Sequence, residues 1–64
     1  MTPDWAQCPN GTTHWAPASR RFRECWFKHD KGQWFFMPKG LASKWMPMNN
    51  EPSIHRISGM RVRP

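Results

Sequence analysis

The chain has 64 residues, with ten Lys and Arg against four Asp and Glu, a formal charge of +6 and a pI near 10.4. A chain of this size forms one domain and buries only about 60% of its unfolded surface, which leaves no room for the closed pocket that enzymes usually build. Such a charge suits an acidic protein surface, nucleic acid or anionic lipid, and the plain alternative is solubility for a sticky aromatic chain.

Hydrophobic residues make up 38%, including five Trp, whereas Leu, Ile and Val number four (Leu41, Ile54, Ile57, Val62). Seven Pro and four Gly are spread along the chain and leave no window for a long helix. These limits predict an all-β fold: a small twisted antiparallel sheet of three to four short strands, with an aromatic core and irregular Pro-rich termini. The first residues, "MTPDWAQCPN", lack a basic-then-apolar signal pattern, and no apolar run approaches membrane-spanning length. The expectation is a cytoplasmic protein without a membrane partner, in which Cys8 and Cys25 stay reduced.

Residues 1–19 contain Pro3, Pro9, Pro17 and the turn dipeptide Asn10-Gly11. They read as an irregular segment pinned to the body by Trp5 and Trp15. Residues 20–58 read as an antiparallel meander. In "RRFRECWFKH", Phe22, Glu24, Trp26 and Lys28 alternate with Arg23, Cys25 and Phe27, a strand pattern rich in β-favouring aromatics. "QWFFM" is its partner strand, so the central hairpin runs over Phe22–Met37.

Asp30-Lys31-Gly32 suits a three-residue turn with Gly32 in the left-handed position. Counting outward pairs His29 with Gln33, Lys28 with Trp34, Phe27 with Phe35 and Trp26 with Phe36. "MPKG" is a further turn, with Pro38 at its second position. "SKWMPM" is a third strand held to an edge by Pro47, and "SIHRIS" a fourth. Residues 59–64 form a basic tail that frays. Both faces of such a hairpin carry large aromatics. The terminal segments are expected to cover one face, leaving Lys28 and Lys44 beside Trp26, Trp34 or Trp45 on a partly open one.

Cys8, His14, Cys25 and His29 together form the ligand set of a structural zinc site. No Cys-x-x-Cys pair is present, however, and Cys25 and His29 straddle a strand and its turn. The reading preferred here has no cofactor and treats Cys25 as a buried small hydrophobe. There are no paired carboxylates, nucleophile elbow or Gly-rich phosphate loop. Catalysis is therefore not expected. The basic residues cluster in "RRFR" and "HRISGMRVR". Basic residues interleaved with rings suit either a protein interface with buried anchors or a single-strand platform on which bases stack. The expected binding residues are Arg20, Arg21, Arg23, Lys28, Lys44, Arg56, Arg61 and Arg63, with Trp34 and Trp45 as exposed anchors.

"CPNGTTHW" at 8–15, followed by "WFK", "GQWFF" and "KW", resembles small proteins of tailed bacteriophages. Those carry a Cys-Pro-x-Gly-(Ala/Thr)-Thr-His-aromatic motif ahead of a Trp-rich hairpin. The resemblance covers residues 8–47 and implies that Cys8, Pro9, Gly11 and His14 form a turn packed on the hairpin. A weaker likeness is to WW domains, through Trp26, Trp45 and "SKW". The His and Tyr of that family's ligand groove have no counterpart, so the likeness implies a meander and not a proline-rich ligand. "RVRP" at 61–64 is similar to the basic end of a phage inhibitor of bacterial RNA polymerase. The phage resemblance implies an accessory protein that binds and modulates a host bacterial protein with an acidic surface, inside the infected cell. The alternatives are a nucleic-acid-binding module using the same residues, and an interface protein of a virion or larger assembly.

Overall fold

A computed structural model describes residues 2–41 and 43–64. Its single sheet contains β1 (His14–Ala16), β2 (Cys25–Asp30), β3 (Gln33–Pro38), β4 (Met46–Pro47) and β5 (Arg61–Val62). All pairings are antiparallel, and the spatial order is β4-β3-β2-β1-β5. A 3-10 turn at Trp5–Gln7 and the short helix α1 (Ile54–Ser58) complete the described elements. The small all-β antiparallel sheet expected from composition is therefore present, with five strands instead of three or four.

The β2–β3 hairpin lies near the middle of the sheet, but its register differs by one residue from the expected one. Trp26 faces Met37, Phe27 faces Phe36, Lys28 faces Phe35 and His29 faces Trp34. The turn contains only two residues, because Lys31 (φ 51°) and Gly32 (φ 79°) both take positive φ. That combination closes a two-residue hairpin whose twist matches its strands, with no bulge. The next turn also starts one residue late: the Leu41 N–H donates to Pro38 O at 3.1 Å, and Gly40 takes φ 81° at the third position.

Three segments depart from their expected conformations. His14–Ala16, within the segment expected to be irregular, is a strand between β2 and β5. "SIHRIS" is helical, not extended. Ser53 caps α1 by accepting a hydrogen bond from the Arg56 N–H at 3.2 Å, and Gly59 closes its end. In the terminus expected to fray, Arg61 and Val62 pair with Trp15 and His14, and the Arg63 N–H donates to Thr13 O at 2.8 Å. The edge position of Pro47 agrees with expectation, since the outer side of β4 needs no ladder donor.

Alternation along the strands divides the core into two clusters. On one face Trp15, Trp26 and Met37 are buried with Trp5, Cys8 and Trp45 against them. On the other, Ala16, Cys25, Phe27, Trp34 and Met60 are buried, with Phe36, Met48 and Ile57 packed on them. The N-terminal segment covers the first face. The chain from Met48 to Met60, including α1, covers only part of the second. Both faces thus receive terminal cover, whereas cover on one face was expected.

Candidate binding face

The first face is closed around Lys28. Its ammonium lies 4.5 Å from the Phe35 ring centre and 5.4 Å from that of Trp45, within cation–π range of both. Gly11 makes this packing possible: at φ 91°, a Cβ there would meet Lys28 Cδ at 2.9 Å. The half-buried Trp45 indole N–H donates to Asn10 O at 3.0 Å. The Trp15 indole N–H donates to Glu24 Oε2 at 2.9 Å, and the same carboxylate oxygen pairs with Lys39 at 3.4 Å. Lys28 and Trp45 are thus occupied inside the protein, and Lys44 is exposed beside them.

Trp34, expected as an exposed anchor, is buried on the opposite face with 6% exposure. The register shift is responsible. It sets Trp34 across from His29, whose ring stacks on the indole at 4.3 Å, while His14 lies 5.0 Å away and Phe27 meets its edge. The expected Lys28–Trp34 and Trp26–Phe36 neighbours are absent for the same reason. Burial, and secondarily the charge of His29, hold the His14 imidazole below its ordinary pKa.

Of the four potential zinc ligands, Cys8 lies against the Trp15–Trp26 face and Cys25 in the opposite cluster, so the sheet separates the thiols. Among the described residues no group of three His, Cys, Asp or Glu converges. Burial pushes the Cys25 thiol pKa up, opposed in part by the Met37 backbone and the Arg56 charge. The thiol donates to Trp26 O at 3.3 Å, as suits a small buried hydrophobe.

The open apolar surface lies where the second face is incompletely covered. Two hollows share Phe22, Met48 and Arg56 in their walls. One, of about 560 Å³, extends over Ala16, Pro17 and Pro52. The other, of about 300 Å³, extends over Cys25, Phe36, Pro38 and Leu41. Phe22 is 50% exposed and Leu41 67%, large values for apolar side chains bordering one groove.

The Arg56 guanidinium sits 4.1 Å from the Phe22 ring centre and 5.5 Å from that of Phe27. It is half-buried and makes no ion pair among the described residues. Arg20 and Arg21 are exposed in a turn closed by the Ser19 N–H donating to Phe22 O at 2.7 Å. Arg23 lines the smaller hollow. None of the described acidic residues lines either hollow.

Of the expected cations, Arg23 and Arg56 therefore line this groove, and Arg20 and Arg21 stand in the turn that leads into it. Lys28 and Trp45 belong to the opposite face, with exposed Lys44 next to Trp45 in the chain; Arg61 lies in edge strand β5 and Arg63 just beyond it, where its Nη1 donates to Thr12 O at 3.4 Å. Phe22, Leu41, Met48 and Pro52 were missed as groove residues. The one available signal was Phe22, a large ring set among three Arg in "RRFR". The chain matches no protein-family model, curated protein or solved structure in comparison.

Proposed function

We propose that this chain is a small binding protein that docks an acidic segment of another protein onto its Phe22–Arg56 groove and thereby modulates that partner. The observation carrying this reading is Arg56: a half-buried guanidinium over the Phe22 ring, without an acidic partner among the described residues, in the walls of two apolar hollows. A partly desolvated guanidinium held on a ring is pre-organised for a carboxylate. Apolar hollows beside it take the large side chains that dominate protein interfaces. The likeness to small tailed-phage proteins supports a host bacterial protein as the partner.

Nucleic-acid binding remains the competing reading, carried by the charge of +6. It is disfavoured because Trp34 is buried and Trp45 half-buried, with its indole N–H engaged, which leaves few aromatic plates for bases.

A pull-down from bacterial lysate at moderate salt, with and without nuclease, distinguishes the readings. A stoichiometric protein retained after nuclease, and lost with Phe22→Ala or Arg56→Gln but kept with Lys44→Ala, supports docking at the groove. Recovery of nucleic acid alone, or equal retention by all variants, contradicts it.

A further inference from the structure

The smaller hollow differs from the larger in its walls. Ser19, Ser53 and His55 stand in the larger one. The smaller has only Arg23 and Arg56 as charged walls, and all its other walls are apolar. Cys25 and Phe27, which reach it from β2, are 5% and 3% exposed, so the hollow opens directly onto the core. The Cys25 thiol already donates to Trp26 O. That leaves the two guanidiniums as the side-chain hydrogen-bond donors facing a ligand.

This lining is selective. Sugars and nucleotides would bring many polar groups to apolar walls, and a buried polar group without a partner is costly. A cation would meet two Arg. A peptide can insert only a side chain, because its backbone N–H and C=O groups need partners that such walls do not supply. A hydrocarbon tail ending in one carboxylate fits both parts of the lining. The Arg56 guanidinium lies 4.1 Å from the Phe22 ring centre and 5.5 Å from that of Phe27, against two walls of the hollow. It has no ion pair among the described residues, and its planar fork suits a carboxylate at the mouth of an apolar site. Volume sets the length of the tail. The hollow measures about 300 Å³, room for about ten water-sized groups at about 30 Å³ each, and a methylene is of similar size.

We propose that the smaller hollow binds a free medium-chain carboxylate, with a tail of about ten carbons against Cys25, Phe27 and Phe36, and its head on Arg56 beside Arg23. The site goes beyond the docking proposal and does not depend on it. Because Phe22 and Arg56 serve both, the carboxylate would also compete with a docked segment.

The test titrates the full chain, labelled with ¹⁵N, with butanoate, hexanoate, octanoate, decanoate and dodecanoate below their micelle concentrations. Octanol and octylammonium are the controls for the head group. The expected result is saturable shifts confined to amides around Phe22, Cys25, Phe36, Met48 and Arg56. Affinity should rise by up to about fourfold per methylene and level off near ten carbons, where the hollow is full. Octanol should bind at least about tenfold more weakly than octanoate, the scale of one charge-assisted hydrogen bond, and octylammonium more weakly still. Arg56→Gln should bring octanoate and octanol together. Arg23→Gln, at an exposed position, should weaken octanoate and leave octanol unchanged, which keeps the test open should Arg56→Gln disturb the fold.

Affinity that climbs through dodecanoate without levelling is adsorption of a detergent and overturns the proposal. So do octanoate and octanol binding alike to the parent protein, shifts centred on Lys28 and Trp45, or no saturation at millimolar decanoate. Docking is read separately, from the protein retained in lysate. Failure of the carboxylates leaves that result standing, and loss of the lysate partner leaves the carboxylate site standing.

Discussion

Replacing Lys31 by Asn should stabilise the protein, against the usual direction of substitutions. Lys31 sits at φ 51° in the first position of a two-residue hairpin turn, followed by Gly32 at φ 79°. A non-glycine residue in the left-handed region costs about 1–2 kcal/mol, and Asn tolerates that region far better than Lys. Lys31 is exposed and makes no ion pair among the described residues, so little is lost with its side chain. Recovering about half of that strain gives 0.5–1 kcal/mol, or roughly a 4 °C rise in Tm for a domain of this size. Gly32→Ala provides the converse. A Cβ there meets nothing within 4 Å, so its cost is conformational alone. It should amount to about 1 kcal/mol or more, lowering Tm by at least about 4 °C. Thermal unfolding by circular dichroism measures both, with Lys31→Gln as the control that removes the charge without favouring positive φ. A destabilised Lys31→Asn, or a Gly32→Ala variant as stable as the parent, would refute the two-residue turn and the register it sets.

Trp15→Phe removes the indole donor to Glu24 from a buried ring and should cost about 1.5 kcal/mol or more, visible as a lower denaturant midpoint. Because burial holds the folded-state pKa of His14 below its unfolded value, the neutral ring favours the folded state. That stability is complete above the ordinary imidazole range and declines as pH falls through it toward the folded value; urea unfolding at several pH values should show the fall, and His14→Gln should flatten it. Under a thiol-reactive dye, half-buried Cys8 should label first and buried Cys25 only on unfolding, a fast phase that Cys8→Ser abolishes. A strong chelator should leave amide dispersion unchanged, and its collapse would bring back a zinc role for Cys8, His14, Cys25 and His29.

The architecture was legible where local chemistry was unambiguous. Aromatic alternation on either side of Asp30-Lys31-Gly32 specified a hairpin, and Pro47 specified an edge. The register was not legible, because that triplet suits both a bulged three-residue turn and a tight two-residue one. The choice depends on Lys31 accepting a left-handed conformation so that six residue pairs, from Asp30–Gln33 to Cys25–Pro38, form without a bulge. That one-residue difference moved Trp34 from an expected anchor to a buried ring. β1 and β5, at three and two residues, are too short to show alternation and exist through their pairing with each other and with β2. Helix α1 carried readable signals in Ser53 and Gly59, but they were outweighed by its β-branched residues. The groove could not be read from sequence, since its walls come from separated stretches of chain that meet only once the Met48–Met60 segment has folded over the sheet.

The central claim is that this protein meets its partner at the Phe22–Arg56 groove and not at the Lys28–Trp45 face. The most direct measurement places a photo-crosslinking benzoylphenylalanine at position 22 in one protein and at position 44 in another, then irradiates each in nuclease-treated bacterial lysate. The account predicts one discrete protein adduct from position 22, reduced by added Arg56→Gln substitution, and none from position 44. An adduct from position 44 with none from position 22 would contradict it.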